Sequence, residues 1–180
     1  MTVLTVDDRL SLHPISAEDA ESIFALIDAN RTRLREWLYF VDLTRTVDDT
    51  AAYIQSVLSR PEPELVTTMR VDGIITGLIG FRDTDRMHRK TEIGYWIAGD
   101  WEGQGIVTRS CKALVDHAFR ELDINRITIR CGVGNQRSSA IPKRLCFMFE
   151  GIERESEWVN DRYVDHEVFS LLRREWNPHA

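Results

Sequence analysis

The chain has 180 residues, which suits one domain with a single sizeable core spanning residues 1–180. Apolar residues at 43% and charged residues at 29% exclude a disordered, collagenous or coiled-coil chain. A net charge of −6 without a Lys/Arg block argues against nucleic acid as a partner, and no apolar run is long enough to cross a membrane.

Met1–Arg9 carries Asp7 and Asp8 and lacks the basic-then-apolar order of a secretion signal, so a cytoplasmic protein is expected. Arg9–Leu12 reads as a first strand, closed by His13-Pro14. Ser16 should cap a helix, with Asp19 completing a weak capping box, and Ala20, Ile23, Phe24 and Ile27 mark its buried side. Arg31–Trp37 looks helical. Val47–Leu58 forms a further helix, with Ala51, Ile54, Val57 and Leu58 on one side and Pro61 and Pro63 as its stop.

The periodicity then changes from helical to alternating. Leu65–Val71 and Ile74–Phe81 flank Asp72-Gly73, a strong hairpin signal. Arg82–Arg89 reads as a charged loop. In Thr91–Ile97, Ile93, Tyr95 and Ile97 alternate against Glu92, Gly94 and Trp96. Val107, Cys111, Leu114, Val115, Ala118, Phe119 and Leu122 then define one continuous helical face. Arg126–Cys131 is a strand with Ile127, Ile129 and Cys131 inward. A short helix starts near Ser138 or Ser139, where Pro142 is tolerable only near the first turn. Phe147–Phe149, Ser156–Val159 and Tyr163–Leu172 complete the strands. This order predicts a mixed α/β sheet with helices on both faces, its strands at Thr91–Ile97 and Arg126–Cys131 parallel. Three cysteines without CxxC spacing suggest neither a disulfide framework nor a zinc site, and Cys111 and Cys131 read as small buried hydrophobes.

The most informative segment is Glu92–Thr108. A strand ends near Ile97, a turn carries Gly99, Gly103 and Gly105, and the long helix begins at once. Glycines let the backbone approach a ligand closely, and the first helix amides lack internal partners at the positive end of the dipole, so a pyrophosphate fits there. A plain strand-to-helix connection fits the spacing as well. The segment is not a nucleoside-triphosphate loop, since no Gly-Lys-[Ser/Thr] follows. Nor is it a dinucleotide fingerprint, since only Gly103-Gln104-Gly105 matches.

Together, Glu92–Thr108, the long helix, Asn135-Gln-Arg-Ser138 and Arg144-Leu-Cys-Phe147 resemble the GNAT superfamily of acetyl-CoA-dependent N-acetyltransferases. Within it the chain is similar to the RimL type, which acetylates the N-terminal amine of ribosomal proteins, and to its YdaF-like branch. Leu34–Asp42, Ile93–Ile97, Ile141-Pro142, Glu157-Trp158 and Tyr163–His166 support this, and the likeness runs from about Leu10 to Trp176. It departs at Glu102 and Val107, where the superfamily turn, Gln/Arg-x-x-Gly-x-Gly/Ala, has other residues. The acid at 102 should weaken phosphate binding unless it points to solvent. Cys146 stands where the family commonly has Gly, which bears on the local backbone conformation.

The resemblance implies a GNAT fold: a twisted, mostly antiparallel sheet of about seven strands, with a splay between the fourth and fifth. The pantetheine arm of acetyl-CoA would lie in that gap against backbone groups of Tyr95, Trp96 and Ile97. The amides of Gly103, Gln104, Gly105, Ile106, Val107 and Thr108 would hold the pyrophosphate. Asn135 would bind the pantetheine and Ser138 would both contact the cofactor and act as acid toward the thiolate. Spacing alone reads the last two as a turn and a helix cap.

Acyl transfer from a thioester to a neutral amine requires positioning, removal of a proton from the ammonium, stabilisation of charge on oxygen and a proton for the thiolate, with no metal. Two carboxylates compete as base. Glu157, beside Trp158, matches the RimL-type glutamate that acts through water, and its pKa would rise if buried. Glu92 matches the position used in histone-type relatives. Either is equally readable as a solvated strand-face carboxylate. Tyr163 is a reserve acid. Trp37, Tyr39, Phe40 and Trp158 would wall the acceptor site or simply belong to the core. The expected reaction is acetylation of a protein N-terminus. Acetylation of a small amine and a non-catalytic acyl-CoA sensor are the alternatives. A homodimer is compatible with this branch.

Overall fold

The computed structural model describes residues 3–60 and 65–177. Eight strands form one open sheet in the order β1-β2-β3-β4-β5-β6-β8-β7. They are β1 (Leu4–Thr5), β2 (Leu10–Pro14), β3 (Val66–Val71), β4 (Ile74–Asp85), β5 (Lys90–Ile97), β6 (Arg126–Gly132), β7 (Met148–Val159) and β8 (Arg162–Leu172). The helices are α1 (Ala20–Ala29), α2 (Arg31–Leu34), α3 (Val47–Leu58), α4 (Ile106–Glu121) and α5 (Gln136–Arg144). The sheet is the mixed, mostly antiparallel GNAT sheet that the sequence leads one to expect, with the two-residue β1 as an additional strand.

Alternation along the strands divides the core between the two faces. Leu78 and Trp96 pack with Ile23 and Ile27 of α1 and Ile54 and Val57 of α3. On the opposite face, Ile79, Phe81, Ile93, Ile127, Ile129 and Phe169 pack with Cys111, Leu114, Val115 and Phe119 of α4 and Ile141 of α5. The stripe read along α4 is buried except for Leu122, which lies just beyond the helix. In α3, Thr50 is buried while Ala51 and Leu58 face out. The prolines expected to stop α3 lie outside the described residues.

Local chemistry explains the element ends. The Ser16 amide donates to Asp19 Oδ2 at 3.0 Å, ahead of α1. Thr46 caps α3 by accepting the Asp49 amide at 3.3 Å. Asp72 and Gly73 both have positive φ, 50° and 83°, as a tight hairpin with primed turn geometry requires.

Several boundaries differ from the sequence reading. β4 continues through the expected charged loop to Asp85, pairing again with Lys90 after a register shift. Helix α2 ends at Leu34, and the chain runs through turns to Trp37. Met148–Phe149 and Ser156–Val159 belong to one edge strand, β7, with irregularities at Phe149/Gly151 and Glu153/Glu157, while Phe147 lies just before it. Both faces of β7 are exposed over most of its length, so no apolar alternation marks it. Pro142 lies in the interior of α5, not its first turn.

Strands β5 and β6 place the site. They are parallel and pair only over Lys90–Glu92 with Arg126–Thr128. Beyond Glu92 they separate. The Ala98 amide donates to the Thr76 carbonyl at 2.8 Å, on the β4 side. Antiparallel alternation therefore turns the main-chain groups of Tyr95 and Ile97 toward the gap and those of Trp96 toward Leu78.

Candidate active site

A cleft of about 930 Å³ opens where β5 and β6 part. Tyr95, Trp96, Ile97, Gly103, Gly105, Ile106, Val107, Thr108, Asn135 and Ser138 line it. Of the expected cofactor-binding residues only Gln104 does not; its side-chain amide donates to the Asp100 carbonyl at 3.1 Å. Trp96 differs from expectation in its backbone, which is committed to the β4 ladder as described above.

The turn into α4 provides an anion site. Gly103 and Gly105 have φ of 72° and 71°, in the left-handed region that disfavours side chains. A Cβ at Gly103 would meet nothing within 4 Å. The first intrahelical bond runs from the Arg109 amide to the Gly105 carbonyl at 3.0 Å, and no side chain caps this end. The amides of Ile106, Val107 and Thr108 thus have no acceptor within the helix, and they face a cleft at the positive end of a 16-residue dipole.

Arginines surround that end. Arg33, Arg109, Arg137 and Arg144 all line the cleft. Arg33 donates to the Ile97 carbonyl at 2.5 Å. Glu102 points neither at the helix amides nor freely into solvent. Its carboxylate is bound by Arg33 and by Arg137 Nη1, the latter at 2.5 Å. These arginines come from α2, α4 and α5, so no charge cluster in the sequence announced them.

Asn135 Oδ1 accepts the Ser138 amide at 3.1 Å, capping α5. Ser138 Oγ lies 3.3 Å from Tyr95 Oη and 3.2 Å from Cys131 Sγ. Burial pushes the Tyr95 phenol well above its ordinary value, and burial also raises the Cys131 thiol. Cys111 and Cys131 are buried, while Cys146 is exposed.

The two candidate bases lie outside the cleft lining. Glu92 is 7% exposed at the last position of β5 that pairs with β6, between Arg82 Nε at 2.6 Å and Arg130 Nε at 2.7 Å. Glu157 on β7 is opposite Val164 of β8, which a Cβ on Gly132 would touch together with the Trp37 ring. Glu157 Oε2 is 3.2 Å from His166 Nε2, and His166 Nδ1 is 2.7 Å from Ser156 Oγ. The expected rise in the Glu157 pKa does not occur. The hydrogen bond from His166 outweighs partial burial and, with Arg82 and Arg130, holds the carboxyl below its ordinary value. Of the proposed aromatic wall, Trp37 lines the cleft. Phe40 packs against the α1/α3 core, Tyr39 is exposed, and Trp158 is 54% exposed and meets Tyr163 edge to face. Tyr163, the reserve acid, is 60% exposed on that hairpin and outside the cleft lining.

The parted strands, uncapped helix amides and ring of arginines are the features of an acyl-coenzyme A site on a GNAT sheet. The acetyltransferase (GNAT) domain family matches residues 9–148, and the chain belongs to that family. It is 36% identical over 179 residues to YdaF of Bacillus subtilis (strain 168), provisionally named a ribosomal N-acetyltransferase, covering 98% of both chains. It is 27% identical over 172 residues to the ribosomal-protein-serine acetyltransferase of Escherichia coli (strain K12), covering 94% of this chain and 96% of that one. Among solved structures, RimL, a ribosomal L7/L12 α-N-protein acetyltransferase in complex with coenzyme A, superposes with a TM-score of 0.90 at 25% identity, over 95% of this chain and 98% of that one. The protein is a GNAT N-acetyltransferase that uses acetyl-CoA. Among the described residues, no helix is long and apolar enough to cross a membrane, and no group of three or more His, Cys, Asp or Glu is placed to hold a metal ion.

Proposed function

We propose that the protein acetylates the N-terminal α-amine of a protein substrate, with ribosomal proteins as the substrate class, by direct attack of the amine within a ternary complex. The observation that carries the reading is the cleft itself. It joins an uncapped helix N-terminus, suited to a diphosphate, to the unpaired edge of β5 and to Ser138. The names of the relatives reported above support the substrate class.

The residues fit coenzyme A in three places. The amides of Ile106, Val107 and Thr108, with Arg109 and Arg137, suit its phosphates. The edge of β5 left open by β6, at Tyr95 and at the amide of Ile97, whose carbonyl is bound by Arg33, suits the pantetheine amides together with Asn135. Ser138 Oγ suits the sulfur. Acetyl-CoA, when bound, supplies an acetyl group already activated as a thioester. Ser138 gives a proton to the sulfur as the carbon–sulfur bond breaks and the carbon–nitrogen bond forms. Glu157 takes, through water, the proton that the amine loses. Trp37 orients the incoming chain. Glu92, held by two guanidinium groups, keeps β5 and β6 joined at the base of the gap. A second copy of the chain is a compatible partner.

The test is mass spectrometry of purified ribosomal proteins, L7/L12 among them, after incubation with the enzyme and acetyl-CoA, beside spermidine and other small amines. One added acetyl group on a protein N-terminal residue supports the reading. Acetylation of small amines alone would replace it with the small-amine alternative. Tight acetyl-CoA binding without thiol release across the whole panel would replace it with the sensor.

A further inference from the structure

Helix α5 contains a proline where a helix ordinarily needs an amide. Pro142 has no N–H, so the carbonyl of Ser138, four residues earlier, lacks its helical donor. That carbonyl is not orphaned. Tyr95 Oη on β5 donates to it at 3.1 Å, replacing the missing bond from another element. The same phenol oxygen lies 3.3 Å from Ser138 Oγ, which donates to it. Tyr95 therefore meets both oxygens of the single residue assigned to protonate the thiolate.

We infer that Tyr95 is the positioning residue for Ser138, and that Pro142 is what commits it to that task. The inference rests on the role given to Ser138 above. With the carbonyl bond satisfied by Tyr95, the phenol oxygen faces Ser138 Oγ as an acceptor beside Cys131 Sγ, and the two hold the serine hydroxyl in one rotamer. As Ser138 Oγ turns its hydrogen from the phenol oxygen to the sulfur and gives it up, the phenol hydrogen turns from the carbonyl to the serine oxygen that has become the better acceptor, and the proton that Glu157 took from the amine returns through water to restore the hydroxyl. No net proton leaves Tyr95, whose burial among β5, β6 and α5 keeps the phenol protonated. Cys131 Sγ, 3.9 Å from Tyr95 Oη and 3.2 Å from Ser138 Oγ, closes the third side of this pocket.

The test is a double-mutant cycle on the full chain, read as thiol release from acetyl-CoA with L7/L12 as acceptor, or with spermidine if L7/L12 gives none. Tyr95→Phe is expected to lower kcat by about 10-fold and leave the KM for acetyl-CoA within about 2-fold, because only a group acting at the reacting atoms is misplaced. Ser138→Ala should lower kcat further, and Tyr95→Phe added to it should cost nothing more. Pro142→Ala supplies an amide donor for the Ser138 carbonyl that Tyr95→Phe leaves unpaired, so the Tyr95→Phe/Pro142→Ala protein should recover thermal stability and remain slow. Recovery of kcat in that protein would show that Tyr95 merely patches the helix, and would overturn the inference. Additive losses from Tyr95→Phe and Ser138→Ala would also overturn it, as would full kcat in Tyr95→Phe beside a slow Ser138→Ala, with the reading of Ser138 intact. Full kcat in Ser138→Ala would overturn both.

Discussion

The Glu102 carboxylate accepts Arg137 Nη1 at 2.5 Å across the mouth of the cleft while Arg33 binds it from α2. An acid in the phosphate-binding turn is thus neutralised by two guanidinium groups, and it occupies charge that a phosphate would otherwise meet. Glu102→Gln releases that charge. The expected outcome is a Kd for coenzyme A about 2- to 5-fold tighter at low salt, the range of a partly exposed ion pair. The difference should fade near about 0.5 M salt, where screening shortens the reach of the field. Calorimetric titration at the two ionic strengths measures it.

Gly105 sits at the head of α4 with φ of 71°. Only open space and the far end of Arg109, at 4.0 Å, would meet a Cβ there. A substitution is therefore opposed by backbone conformation rather than by a clash, at about 1–2 kcal/mol for an L-residue in this region. A β-branched side chain would also protrude toward the amides of Ile106 and Val107. Gly105→Val should weaken coenzyme A binding by about 10-fold or more and lower the melting temperature by a few degrees. It should reduce kcat at saturating acetyl-CoA far less than Ser138→Ala does. Titration with coenzyme A beside saturation kinetics separates the two effects.

Much of this architecture was legible because it is encoded locally. Asp72-Gly73 dictates its turn, and the apolar stripe from Val107 to Phe119 dictates the buried face of α4. The alternation of Ile93, Tyr95 and Ile97 against Trp96 dictates which side of β5 meets which core. The details of the site are different, because they depend on residues distant in the chain. Tyr95 and Ser138 are 43 residues apart, Glu102 and Arg33 are 69 apart, and neither contact leaves a periodic trace. The Glu157 pKa also depends on a distant partner. A glutamate beside a tryptophan suggests an apolar environment, but the side chain that decides its charge is His166 on the neighbouring strand. Edge strand β7 was only partly visible, because a strand exposed on both faces for nearly all its length, with register irregularities, has no reason to alternate.

That Glu157–His166 contact fixes an expectation for pH dependence. The folded-state pKa of Glu157 is depressed, so its carboxylate and the favourable contact are present above the ordinary glutamate value of about 4.3 and are lost only as pH falls below it. Glu157 is therefore ionised throughout a pH range of about 5.5–9. The acid limb of kcat/KM should instead report the acceptor α-amine, with a pKa of about 7.7–8.0. Glu157→Gln should lower kcat by about 100-fold, the scale of a lost general base, at every pH and without moving that limb. A pH–rate profile of both proteins tests this. A limb near pH 6 that vanishes in the variant would assign a raised pKa to Glu157 and contradict the geometry.

Cys146 ends α5 with φ of 59°, the left-handed conformation usually taken by glycine. The Phe147 amide donates to the Pro142 carbonyl at 3.0 Å and the Cys146 amide to the Lys143 carbonyl at 3.3 Å, the paired bonds of a Schellman motif. The helix end thus keeps the geometry that a glycine would serve, with a side chain that disfavours it. Cys146→Gly relieves a conformational cost of about 1–2 kcal/mol and restores some freedom to the unfolded chain, which offsets part of the gain. The expected net effect is a stabilisation of about 0.5–1 kcal/mol, or roughly 1–4 °C in melting temperature for a chain of this size. Because the exposed thiol lies outside the cleft lining, kcat should be unchanged. Thermal denaturation of Cys146→Gly beside Cys146→Ala distinguishes relief at the backbone from loss of the thiol. Alanine removes the sulfur but keeps the Cβ, and should leave the melting temperature nearly where it was.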